Sequence, residues 1–393
     1  MKAFTTVACG LIVGMLVACG DDDDTNSNTN TATAALKTEI VKNYATNVHA
    51  NYEDALTDAK KLQTAIDAFL AAPTEETLAT ARTVWTSARQ SYLQSEAFRF
   101  YSGPIDDADG PEGRINGWPL DENYIDYVTG KDDAGIINDP TGFPTITKEI
   151  IADANEKVDE KSLSAGWHAI EFLLWGQDKS TTGPGARPAT DYVDGGTAKN
   201  QDRRRTYLKA VTDLLVDDIE SVEVQWDPTP ATTYGATFVS GPVETAITDM
   251  LQGIGYLSAV ELPNERINNA YENQDQEEEH SCFSDTTLQD FAFDAKGIEN
   301  VYFGRYGSTD GKGIDDLLKA VDPAIEAATT KAIQDAVAAT AQIPGPFDQA
   351  ILGADTDPGR VKIKATIDAW HHASEEIGKA AQALGLTINL TAE

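Results

Sequence analysis

The stretch Ser164-Ala165-Gly166-Trp167-His168-Ala169-Ile170-Glu171-Phe172-Leu173-Leu174-Trp175-Gly176 decides how the rest of the chain is read. Apolar residues at 163, 167, 170 and 174 recur every three or four positions, which is the helical period. His168 and Glu171 are three apart, so they share one face of that helix, beside the apolar stripe. A neutral imidazole and a carboxylate held near a core are donors that a divalent or ferric ion takes. The same spacing fits a buried histidine satisfied by a nearby glutamate, because two ligands do not complete a metal site.

Working outward, the spacing predicts one long helix from Ala35 to Ala72, with Ile40, Tyr44, Val48, Tyr52, Ile66 and Phe69 on its stripe and His49 at the stripe's edge. Pro73-Thr74-Glu75-Glu76 stops it and starts a second helix, with Thr74 as N-cap and acids in the first turn. That helix carries Leu78, Trp85, Ala88, Tyr92, Glu96 and Arg99 on one face. A carboxylate on a core stripe is costly unless it is paired or metal-bound. Glu96 is therefore a candidate ligand, and equally a candidate partner for Arg99. Residues 101–160 are rich in turns and form an insertion whose Trp118, Tyr124 and Tyr127 can pack over a bundle end. A fourth helix is expected from about Asp202 to Gln225. Four long helices and two elaborate loops give a first helical bundle over 35–228.

The segment from Trp226 to Gly241, rich in proline and glycine, is the expected domain boundary. A second bundle over 240–393 follows, with helices near 242–260, 263–274, 314–341 and 358–385. Gln274-Asp275-Gln276-Glu277-Glu278-Glu279-His280-Ser281-Cys282-Phe283-Ser284-Asp285 is its chemically dense stretch. His280 and Ser281, with Arg305 from Gly304-Arg305-Tyr306-Gly307, are the second domain's candidate site residues. Ser284 or Asp285 is placed to cap the following helix. No strand pattern of any length occurs, so the fold class is all-α: two domains resembling four-helix bundles, with long loops in the first.

The chain has 393 residues, with 30 basic against 64 acidic and a formal net charge of −34. That balance argues against nucleic-acid binding and against electrostatic attachment to anionic lipid; it favours attraction of cations. Lys2, the apolar run Leu11–Val17 and Leu16-Val17-Ala18-Cys19 read as a lipoprotein signal over 1–19, with Cys19 the lipidated residue. The run is too short to span a bilayer. Residues 20–34 are polar and low in complexity, as expected of a disordered tether. Gly20, with no acidic residue directly after Cys19, favours the outer over the inner membrane. With Cys9 in the signal and Cys19 lipidated, Cys282 alone remains, so no disulfide framework is expected.

Several chemistries are excluded by pattern. H-E-x-x-H and H-x-x-E-H zinc motifs are absent, as are a phosphate-binding glycine loop and a G-x-S-x-G elbow. Gly166-Trp167-His168-Ala169-Ile170-Glu171 fits G-x-H-x-x-E. Together with AFRFYSGPIDD, GPEGRINGWPLDENYIDYV, GPGARPATDY, QDQEEEHSCFSD and NVYFGRYG, it makes the chain resemble the imelysin family over roughly residues 36–390. The resemblance implies two helical domains with a site between them, and a bacterial cell-envelope lipoprotein that binds metal and acts in iron uptake with an outer-membrane partner. It makes His168 and Glu171 ligands of an iron or zinc ion, with Glu96 and His49 joining from their core positions. The family's named activity, zinc-dependent metallopeptidase, is the alternative. It requires a third protein ligand and a general base.

Overall fold

The structure is a computed structural model that describes residues 23–392, with side chains from residue 33 onward. The signal segment and Cys19 lie outside the described residues. Helix α1 spans Asp23–Ala71, α2 Glu75–Gln94, α3 Gly166–Trp175 and α4 Gln201–Trp226. Helix α1 lies against both α2 and α4, and α3 packs on α2 and α4. This is the first bundle, with Val48, Tyr52, Phe69, Trp85, Tyr92 and Trp167 in its core. The helix begins twelve residues before Ala35, within the stretch expected to be a tether. Thr74 caps α2 as expected: its hydroxyl accepts from Thr77 N, and Thr77 returns the contact.

The second half contains α5 Val243–Tyr256, a π-helix Leu257–Asn268, α6 Thr287–Phe303, α7 Pro323–Thr340 and α8 Pro358–Ala383. Two expectations are corrected here. No break falls at 260–263: the chain passes straight from α5 into the π-helix, whose wider coil accommodates Pro263. The helix expected over 314–341 is two, Ile314–Val321 and α7. Pro323 opens α7, and Asp322 Oδ1 accepts from Ala324 N and Ile325 N. The described strands are Arg305–Tyr306 and Thr309–Asp310, an antiparallel hairpin. Among the described residues no helix is long and apolar enough to cross a membrane.

The halves share one continuous apolar core. Helix α6 lies directly on α2, where a Cβ at Gly297 would sit 2.4 Å from Gln94 O. Asn300 and Gln289 of α6 add hydrogen bonds to Gln94 Oε1 and Thr86 O. The 101–160 insertion is pinned to the first bundle by Asp126, which is fully buried. It accepts from Arg187 at 2.6 Å and from Arg204 at 2.7 and 2.8 Å. A buried carboxylate held by two guanidiniums fixes the insertion in one position, and with it Trp118.

Candidate functional site

Helix α3 enters the core after Gly166, whose φ of +86° suits glycine. A Cβ there would lie 2.5 Å from Ile115 O, so only glycine lets the helix start this close to the insertion. The motif's first residue therefore sets the position of the next two. His168 and Glu171 are buried, and His168 Nδ1 lies 2.9 Å from Glu171 Oε2. The other oxygen of Glu171 accepts from Ser284 N at 2.9 Å and Ser284 Oγ at 2.7 Å. The first bundle's motif is thus closed by the second half's turn at Cys282–Ser284.

That turn also delivers His280. Its Nδ1 lies 3.0 Å from Asp290 Oδ2, which also accepts from Ser281 Oγ at 2.6 Å and Arg89 Nη2 at 2.7 Å. Each of the two histidines therefore has its Nδ1 on a carboxylate. Their rings stand 4.5 Å apart at 78°, and Trp118 lies 4.8 Å from one and 5.8 Å from the other. His168 Nε2 is buried and has no hydrogen-bond partner. His280 opens onto a cleft of about 930 Å³ between the halves, with Arg99, Arg266, Glu112, Glu261 and Trp118 in its walls.

Burial pushes both imidazoles well below their usual range. For His168 the neighbouring His280 and Arg89 add to this, and for His280 Arg266 and Arg89 do. Both rings are neutral at physiological pH. Burial pushes the Glu171 carboxyl up to about 8, against the Ser284 hydroxyl that favours its charged form.

The sequence candidates separate into groups. His168, Glu171, His280 and Ser281 meet at the junction of the halves. Glu96 sits in the same buried layer but does not offer a free oxygen. Oε2 accepts from Arg99 at 2.6 Å and Arg266 at 2.5 Å, and Oε1 from Asn116 at 3.1 Å. Of the two roles expected of Glu96, the structure shows the pairing with Arg99, and its side chain serves the arginines. His49 is also elsewhere, between α1 and α4, with Nε2 2.9 Å from Glu223 Oε1. Arg305 pairs with Asp310 on the surface of the hairpin. Ser284 does not cap α6, since its hydroxyl is turned to Glu171. Asp290, Arg89 and Arg266 were not legible as site residues. The one available signal was a charged residue on an apolar helix face, and such residues are common in this chain.

Two helical halves closing over a G-x-H-x-x-E histidine and glutamate define a class of two-lobed helical proteins. The chain belongs to the imelysin family: the family model described as Imelysin matches residues 48–377. It is 24% identical over 309 residues to iron-regulated protein A of Synechococcus elongatus, covering 76% of this chain and 70% of that one. A crystal structure from Parabacteroides distasonis, provisionally named an iron-regulated protein A precursor, aligns with a TM-score of 0.70 at 21% identity. It covers 89% of this chain and 95% of its own. An imelysin-like protein from Psychrobacter arcticum aligns with a TM-score of 0.62 at 14% identity, over 90% and 98%.

Proposed function

We propose that this chain is a metal-binding imelysin-family protein of the bacterial cell envelope. In this reading it is anchored at the outer membrane through Cys19, and it holds iron for an uptake partner in the cleft between its halves. The observation that carries the reading is His168 Nε2, a buried nitrogen with no partner, beside the neutral ring of His280. Each Nδ1 rests on the carboxyl group of an acidic side chain, an arrangement that fixes the orientation of an imidazole toward a metal. Two imidazole nitrogens suit iron(II) or zinc, and the remaining positions are left to water or to ligands arriving with the ion. The acidic cleft wall favours entry of a cation. The name of the Synechococcus relative and the charge of −34 agree with cation handling.

The peptidase reading is less well supported. It needs a third protein ligand and a base, and Glu171, Asp290 and Glu96 are engaged. Glu171 serves Ser284 and His168, Asp290 serves His280, Ser281 and Arg89, and Glu96 serves two arginines.

Calorimetric titration with iron(II), under anaerobic conditions, and with zinc tests the proposal. The double substitution His168→Ala with His280→Ala should remove one binding event, weakening it more than tenfold, with the helical spectrum unchanged. An unchanged isotherm would overturn it. Chelator-sensitive cleavage of an unfolded polypeptide by the parent would restore the peptidase alternative.

A further inference from the structure

His49 was expected at the central site, yet it stands apart in a group of its own. It projects from α1 toward α4, flanked by Glu53 one turn along α1 and by Glu223 of α4. One ring nitrogen and one oxygen from each carboxylate lie within 4.8 Å of one another. Nε2 is 2.9 Å from Glu223 Oε1, while Nδ1 is 3.9 Å from Glu53 Oε2, too long for a hydrogen bond. His49 and Glu223 are mostly covered, and Glu53 stands at the solvent edge.

The charge balance is the unusual feature. Among the described residues, neither Glu53 nor Glu223 forms an ion pair with a lysine or arginine; His49 is the only cationic candidate for both. Asp227, the residue that ends α4, adds a third carboxylate whose charge interacts with His49. The carbonyl end of α4 lies within one turn of Glu223 and adds negative potential there. One imidazole thus stands between two carboxylates, close to a helix C-terminus.

We infer that His49, Glu53 and Glu223 form a second divalent-cation site on the outer face of the first bundle, clamping α1 to α4. One nitrogen and two carboxylate oxygens are a donor set for zinc or a similar borderline ion, with water completing the shell. Two ligands four apart on one helix and a third on its neighbour match how bundles build such sites. The fold already holds the group together, so binding needs only small side-chain rotations. The site is independent of the central one: it shares no residue with it and lies on the face where α1 meets α4.

The test counts zinc per chain by elemental analysis after equilibrium dialysis, alongside the thermal midpoint with and without zinc. The parent should lose one equivalent on Glu53→Gln with Glu223→Gln, and the zinc-dependent rise in midpoint should shrink with it. The same loss is expected of His49→Ala. The His168→Ala, His280→Ala variant should keep this equivalent, so failure at one site is distinguishable from failure at the other. The inference is overturned if the glutamine variant binds as much zinc as the parent. It is equally overturned if the parent binds none, in which case the group is only an ion pair.

Discussion

Glu96, legible either as a ligand or as the partner of Arg99 and paired with Arg99 in the structure, gives the sharpest prediction. Its carboxylate is fully buried and accepts from Arg99, Arg266 and Asn116. Burial alone would raise its pKa, but Arg99 and Arg266 outweigh it and hold the group at about 2. Against an ordinary 4.5, that difference corresponds to roughly 3 kcal/mol of stability at neutral pH, taking about 1.4 kcal/mol per unit. The sign follows from the depressed value. The contribution is complete above about pH 4.5 and is lost as pH falls toward 2. Removing one partner of a buried ion pair costs about 3–5 kcal/mol on independent grounds, because the remaining charges stay buried. Arg266 is also shared with Asp294 at 2.8 Å and Glu261 at 3.1 Å, which soften that cost. Glu96→Gln should therefore lower the unfolding free energy by about 3 kcal/mol at pH 7 in urea titrations. The gap from the parent should narrow steadily between pH 5 and pH 2.5. A variant within ~0.5 kcal/mol of the parent at pH 7 would refute the assignment of Glu96 as the structural partner of both arginines.

Two further outcomes follow from the same geometry. Gly166→Ala combines a φ of +86° with a Cβ 2.5 Å from Ile115 O, so it should cost about 2–4 kcal/mol in chemical denaturation; a neutral result would contradict the close approach that starts α3. Glu279 is buried with Oε1 unpartnered, and burial pushes its carboxyl up to about 9. Its native pKa lies above the ordinary 4.5, so the parent loses stability as pH rises from about 4.5 toward 9. Glu279→Gln should thus match the parent near pH 5 and exceed it increasingly up to pH 9, measured by urea unfolding across that range. Parallel pH profiles for the two proteins would count against a proton held at Glu279.

The sequence by itself determined the helices and much of what faces inward. The three-to-four spacing of Ile40, Tyr44, Val48 and Tyr52, or of Leu78, Trp85 and Tyr92, is dictated by the helical repeat, and all of these residues are buried. Thr74 and Pro358 marked helix starts because capping and proline geometry are local. The proximity of His168 and Glu171 was legible for the same reason, since three residues along a helix is one turn. What only the tertiary structure decided is which distant groups answer these. Glu171 and Ser284 are 113 residues apart and Glu96 and Arg266 170 apart, and no periodicity encodes such pairs. Glu96 lies on an apolar stripe and His49 at the edge of one, as a ligand would, but a stripe shows only which way a side chain points. Whether it meets a cation, a second imidazole or an arginine depends on how the two halves close, through Gly297 on α2 and the turn at Cys282–Ser284. That closure brings Arg266 to Glu96 and leaves His168 Nε2 free beside His280.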